Sequence, residues 1–312
     1  MKRKEKNNHN TLPWQHPKSP LEDPKATALV ENLKQSKGYK IASLDQDFME
    51  SYEARGIRLE LDYLKAELSM NKQGIEHTIA VFGSARIIEY KTAKQKVQEI
   101  EKELDKDPMC QVTRSKLHTA QRMLEKSVYY DDARKFGSLV GQSGKGVDDC
   151  RVTIITGGGP GIMEAANRGA YDVGAKSIGL NINLPHEQFP NPYISPELCF
   201  LFHYFAVRKM HFLNRAKALV VYPGGFGTFD ELFEILTLVQ TKKSEAIPIV
   251  LVSKYYWNRA INFDFLREEG VISHNDLDIF TIVDNAEEAW DYILKWYEKQ
   301  GNPLFNHIKV KL

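Results

Sequence analysis

Residues 78–83 read TIAVFG, a short β-rich apolar run that passes into Gly83-Ser84-Ala85-Arg86, the small-residue turn that leads a buried strand into a helix. The next comparable run, RVTIITG at residues 151–157, comes only after about seventy residues rich in Lys, Glu and Gln. That gap is too long for one crossover helix. It implies a helical insertion within residues 91–137, broken near 105–108, with Leu117, Met123, Leu124, Val128 and Tyr129 in its second part. Beyond it, strand signals recur at residues 177–182, 198–202, 218–222, 247–252 and 280–283, with helical stretches between them. Strand and helix in alternation predict an α/β fold built on a doubly wound parallel sheet.

The ends read differently. Residues 1–38 are polar and carry Pro13, Pro17, Pro20 and Pro24, so this arm cannot bury enough apolar surface to offset its chain entropy and is expected to be loosely ordered. Between residues 45 and 72, Phe48, Tyr52, Ile57, Leu59, Leu61, Leu64 and Leu68 recur at roughly helical spacing, interrupted at Gly56; this extension should pack on something downstream. The expected organisation is an arm and helical extension over 1–75, a catalytic domain over 76–300 containing the insertion, and a tail over 301–312.

Composition narrows the function. The 312 residues hold 42% hydrophobic and 27% charged side chains, and 42 basic against 41 acidic groups leave a net charge of +1. No basic excess suggests nucleic-acid binding. Cys110, Cys150 and Cys199 are odd in number and form no CxxC pair, which points to a reducing cytoplasm. No apolar run approaches the roughly 20 residues of a membrane span, and the N-terminus lacks the apolar core of a signal peptide.

In a doubly wound sheet, ligands bind where the strands end, so the residues after each strand come first. Three segments stand out: Gly83-Ser84-Ala85-Arg86, the run Gly157-Gly158-Gly159-Pro160-Gly161, and 223–231, reading PGGFGTFDE. Glycines allow backbone amides to approach an anion, and a helix opening behind the loop adds its free N–H groups and positive dipole end. A single such loop is as readily a tight turn; two in one sheet favour a phosphorylated ligand. The 157–161 loop departs from the dinucleotide fingerprint, because Ile162 stands at the third glycine and the next strand ends in Asn181 instead of an acid. A mononucleotide fits better. GQSGKG at 141–146 lacks the P-loop spacing, and His186-Glu187 has no second histidine at 190, so neither a P-loop ATPase nor a zinc protease is indicated.

Thr228 to Glu231 reads T-x-x-E and would also serve as an ordinary capping box. Asp230 and Glu231 lie about 100° apart on a helix, so one of them at most points straight into a cleft. Glu231 is the candidate once the resemblance described below is included. Upstream, Arg208-Lys209 sits between two strands with His203 and His211 nearby; taken alone it reads as a solvated helix face, yet its place before the strand that ends in PGG allows Arg208 to reach that strand's carboxyl end.

With these residues in hand, the chain resembles the Lonely Guy phosphoribohydrolases, formerly labelled possible lysine decarboxylases, from about residue 78 to 296. The motif P-G-G-x-G-T-x-x-E is met in full at 223–231, preceded by the R-K pair and a G-G-G-like nucleotide loop. The resemblance implies a Rossmann-like fold, no metal and no organic cofactor, and release of free base and ribose 5-phosphate from a purine nucleoside 5′-monophosphate such as AMP or a cytokinin-type N6-substituted AMP. It makes Arg208 and Glu231 the catalytic pair. Lys209 and the loop residues Gly224, Gly225, Gly227 and Thr228 would contact the phosphorylated sugar, with Asp230 beside them. Ser84, Gly157, Gly158, Gly159, Met163 and Glu164 would complete the nucleotide pocket. The chain departs from the usual M-H-x-R-K, reading Phe205-Ala206-Val207-Arg208-Lys209, and carries the arm and insertion that short members lack.

Other readings stay open at this level. The same loops would serve a non-catalytic nucleotide carrier. The older decarboxylase label would require a pyridoxal cofactor on a Schiff-base lysine. Apolar Phe205, Met210, Phe212 and Leu213 around the R-K pair suggest a homodimer or larger homo-oligomer, or simply core.

Overall fold

The computed structural model describes residues 18–184 and 189–305; the first seventeen residues, the His186-Glu187 pair and the end of the expected tail lie outside them. Seven strands form one sheet: β1 (His77–Phe82), β2 (Val152–Thr156), β3 (Ser177–Ile182), β4 (Cys199–Phe202), β5 (Ala216–Val221), β6 (Ile249–Val252) and β7 (Phe280–Val283). Each expected strand is present, with bounds moved by no more than two residues. All neighbours pair in parallel, in the order β4-β3-β2-β1-β5-β6-β7. β2 and β3 are buried along their whole length, as continuous apolar runs covered on both faces must be. The chain winds outward from β1 to β4, then returns to the other side of β1 with β5. The switch point, where a crevice opens at the strands' carboxyl ends, therefore lies between β1 and β5.

The chain divides into two compact units at Glu60/Leu61, inside a helix. The first holds α1 (Ala26–Lys34), α2 (Gln46–Glu50) and the opening turns of α3 (Arg55–Lys72). Part of the arm expected to be loosely ordered is instead helical, over Ala26–Lys34, because Ala26, Leu29, Val30 and Leu33 recur at helical spacing. In the second unit, the Asp62 carboxylate accepts hydrogen bonds from the His203 and Tyr204 amides at 2.8 and 3.0 Å. The later half of α3 is pinned there, just ahead of the helix that opens at Phe205.

The long β1-to-β2 connection resolves into α4 (Tyr90–Lys106), α5 (Gln111–Lys126) and α6 (Val128–Gly141). Only α4 and α5 have the solvated character expected of an insertion. α6 buries Tyr130, Ala133, Phe136, Gly137 and Val140 on one face and is the crossover helix of the sheet. It packs on α7 (Ile162–Asp172) closely enough that a Cβ on Gly169 would stand 2.8 Å from the Ser138 nitrogen. The remaining helices are α8 (Phe205–Asn214), α9 (Phe226–Gln240), α10 (Lys254–Ala260), α11 (Phe263–Glu268) and α12 (Ala286–Lys299).

A buried polar knot backs the first glycine loop. Fully buried Asn167 accepts from Thr156 Oγ1 (2.7 Å) and Asn191 Nδ2 (3.0 Å), and donates to Ser177 Oγ (3.0 Å) and the Ile178 carbonyl (3.3 Å). Every hydrogen-bonding position of the amide is used, which such a site requires to be stable. Asn191 in turn donates to the carbonyls of Gly158 (2.8 Å) and Gly159 (3.1 Å), fixing the turn from behind.

Candidate active site

A cleft of about 970 Å³ opens at the carboxyl ends of β1 and β5. The β1 turn forms one wall and the PGGFG turn with α9 the other; the Ser84 amide donates to the Pro223 carbonyl at 3.0 Å and ties them together. Gly224 is required by packing, since a Cβ there would lie 2.5 Å from Thr228 Cβ. The helix that follows has Gly225 as its N-cap and no side-chain cap, so its first N–H groups remain available to a ligand.

This start also decides how T-x-x-E is used. Thr228 is the third residue of α9 and Glu231 the sixth, so Glu231 is one turn too far along to close a capping box. It lines the cleft, and the residue is only 8% exposed. Burial drives its pKa up to about 7, while Arg208 and Lys209 pull in the opposite direction. Asp230, on the adjoining face, is turned outward and pairs with Lys209 at 2.8 Å.

Arg208 enters from α8. Its Nε donates to the Leu180 carbonyl at 2.8 Å, and its guanidinium lies over the rings of Phe212 (5.4 Å) and Phe205 (5.7 Å). Burial lowers its pKa against the pull of Glu231, but a guanidinium stays charged at working pH. A Cβ on Gly157 would sit 2.6 Å from Arg208 Nη2, so this glycine is the space into which the guanidinium fits. Arg208 therefore reaches the ends of β2 and β3 from the side as well as the cleft.

Of the residues singled out from sequence, Ser84, Met163, Arg208, Gly224, Gly225, Gly227, Thr228, Asp230 and Glu231 come together around the cleft. Five do not line it. Gly157 gives room to Arg208. Gly158, at φ +73°, and Gly159 build the turn and are held by Thr156 and Asn191. Glu164 accepts a 2.6 Å hydrogen bond from the Tyr130 hydroxyl. Lys209 faces an outer groove, bound to Asp230 and to Glu234 at 3.1 Å; burial lowers its pKa, but these two acids win and hold it above the ordinary lysine value. The Phe205, Met210, Phe212 group splits: Phe205 and Met210 are half exposed, and Phe212 is core.

Two further lining residues were given no role by the sequence reading. Arg86 ends the β1 turn and is solvent-exposed at the cleft. Tyr256 comes from α10 and donates a hydrogen bond to the Gly224 carbonyl. The rule of inspecting each strand's end reaches Ser253 and Lys254 after β6, but no glycine run marks that loop.

A family profile described as "Possible lysine decarboxylase" matches residues 163–293, from the α7 turn through α12. A rice protein (Oryza sativa subsp. japonica) named "Probable cytokinin riboside 5'-monophosphate phosphoribohydrolase LOG4" is 31% identical over 152 residues, 46% of this chain and 64% of its own. The match thus spans just under two thirds of that relative. The Arabidopsis thaliana cytokinin riboside 5'-monophosphate phosphoribohydrolase LOG3 is 27% identical over 196 residues, 60% of this chain and 82% of its own. The X-ray structure of TM1055, a structural genomics target, aligns over 70% of this chain and 99% of its own at 17% identity with a TM-score of 0.40, so the fold rests on the sheet described above. Residues 163–293 thus match the profile described as a possible lysine decarboxylase, and the chain is similar over about half its length to proteins named cytokinin riboside 5'-monophosphate phosphoribohydrolases.

Proposed function

We propose that this protein hydrolyses the N-glycosidic bond of purine nucleoside 5′-monophosphates, AMP or an N6-substituted AMP, giving free base and ribose 5-phosphate. One observation carries the reading: a buried carboxyl group poised near neutrality stands beside a half-buried arginine, in the cleft where an uncapped helix N-terminus offers free amides. The amides of α9 and the positive dipole end suit the 5′-phosphate. Breaking the ribosyl C–N bond sends its electron pair to the base and leaves an oxocarbenium-like sugar, which the Glu231 carboxylate stabilises. Water then attacks the sugar carbon, Glu231 takes its proton, and that proton passes through solvent to the released base, which regenerates the carboxylate. Arg208 supplies a fixed positive charge for the phosphate or the leaving base.

Decarboxylase chemistry fits less well. A Schiff-base cofactor needs a lysine amine in the cleft, and no lysine lines it among the described residues. The three cysteines are free thiols, which supports a reducing, cytoplasmic setting. Among the described residues no helix is long and apolar enough to cross a membrane.

Incubation of purified protein with AMP, followed by chromatography, should show adenine and ribose 5-phosphate in equal amounts. No release from AMP, GMP, CMP or N6-substituted AMP would sink the hydrolase and favour a nucleotide carrier. The exposed rings at Phe205 and Phe226, with Met210 nearby on α8, support a homodimer or larger assembly at this face. Light scattering at micromolar concentration should give at least twice the 35.7 kDa chain mass; a monomer mass would defeat that part of the reading.

A further inference from the structure

Tyr256 lines the cleft, yet neither the glycosidic chemistry nor the motif accounts for it. Its ring packs edge-on against fully buried Trp257, with centroids 5.1 Å apart, and its hydroxyl donates to the Gly224 carbonyl. Its own amide donates to Ser253 Oγ at 3.1 Å, and that hydroxyl shares a 2.6 Å hydrogen bond with the Tyr129 hydroxyl of α6. Ser253 is buried at φ +90°, ψ +92°, a left-handed conformation that a residue with a Cβ adopts only where its surroundings impose it. Such outliers concentrate at functional sites. Here the backbone strain places a hydroxyl between Tyr129 and the start of α10.

The consequence falls on the glycine loop. The Gly224–Gly225 peptide is trans and planar, so its C=O and N–H point in opposite directions. Tying the carbonyl to Tyr256 fixes the peptide plane, and with it the direction of the Gly225 amide at the N-cap of α9. Thr228 packs against the Gly224 side of this peptide, but a Cβ on Gly225 would meet nothing within 4 Å, so its amide side is open. If it rotated, it would turn a carbonyl oxygen toward an anion in place of an N–H. We propose that Tyr256 is a positioning residue, held by Ser253 and Tyr129, that locks the Gly224–Gly225 peptide for recognition of the substrate's 5′-phosphate. The inference rests on the reading above that a 5′-phosphate seats at the α9 N-terminus.

Tyr256→Phe keeps the ring on Trp257 and removes only the hydroxyl. Calorimetric titration with ribose 5-phosphate should show Kd about 10-fold higher than for wild type, the size of one hydrogen bond supporting a charged ligand, with adenosine binding unchanged. For AMP, KM should rise by a similar factor while kcat stays within about threefold, because the phosphate contact is shared by bound substrate and transition state. Ser253→Ala should move ribose 5-phosphate affinity in the same direction by a smaller factor. Loss of mere packing would instead lower the melting midpoint and weaken phosphorylated and phosphate-free ligands alike, and that pattern overturns the proposal. So does a Tyr256→Phe protein that binds ribose 5-phosphate within about twofold of wild type, or a wild type that binds none. A wild type that binds ribose 5-phosphate but releases no adenine from AMP defeats the hydrolase reading alone; the two Kd values still decide on Tyr256.

Discussion

Glu231→Gln is expected to lower kcat for AMP by about 10² to 10³ and, at the same time, to make the folded protein more stable above pH 7. Both effects come from one carboxyl group held in a site that disfavours its charge. In the unfolded chain it titrates near the ordinary value of 4.5, and in the fold near 7. Between those values the native state holds a proton that the unfolded state has released, so stability falls as pH rises through this window. At about 1.4 kcal/mol for each tenfold change, the group costs up to about 3 kcal/mol once both states are ionised.

Glutamine removes that cost at alkaline pH but also deprives half-buried Arg208 of the acid that supports its charge. The net gain at pH 8 should therefore be about 1 to 3 kcal/mol, shrinking to nearly nothing below about pH 4.5. Denaturant titrations at several pH values measure this directly. The rate should follow the same proton: kcat/KM for AMP in the wild type should climb through about pH 7 as the carboxylate forms, and the variant should lack that climb. A variant that keeps wild-type kcat, or whose stability gain is the same at pH 4 and pH 8, would remove Glu231 from the role given to it.

Gly169→Ala is expected to cost about 3 to 5 kcal/mol of folding stability, more than ordinary core overpacking, although the residue lies outside the cleft. The added methyl would collide with the Arg134 carbonyl and stand 2.8 Å from both Arg134 C and Ser138 N. These are backbone atoms of α6, and no rotamer change can move them. The two helices must separate, which disturbs the 2.9 Å hydrogen bond from Ser138 Oγ to the Gly169 carbonyl and the Arg134–Asp172 ion pair at 2.5 Å. Gly137 makes the reciprocal approach, its absent Cβ facing the Ala166 carbonyl, so the two substitutions should not add independently. Urea unfolding that places the Gly169→Ala protein within about 1 kcal/mol of wild type would show that the α6–α7 seam is looser than its geometry.

The α6–α7 seam also shows where sequence reading loses its grip. Strands such as VTIIT and SIGLNI are legible because a central parallel strand is apolar at every position, and that pattern needs no partner to be recognised. α6 was counted with the solvated insertion because Asp131, Asp132, Arg134 and Lys135 dilute its apolar stripe; only packing against α7 and α12 reveals the buried face. The arm hid α1 for a related reason, since four prolines outweighed one weak helical repeat.

The site divides in the same way. Sequence alone determined the strand-and-helix order and the two glycine loops, because each is written in local residue types and short spacings; Arg208 and Glu231 enter as the proposed catalytic pair through the family resemblance. Only the tertiary structure decided that α9 starts at Phe226, so that Glu231 reaches into the cleft instead of capping the helix. It alone decided that Lys209 and Glu164 are engaged elsewhere, and that Tyr256, 25 residues beyond Glu231, holds the glycine loop. Burial, desolvation and hydrogen-bond direction depend on chain segments distant in sequence, and those segments meet only when the sheet is wound.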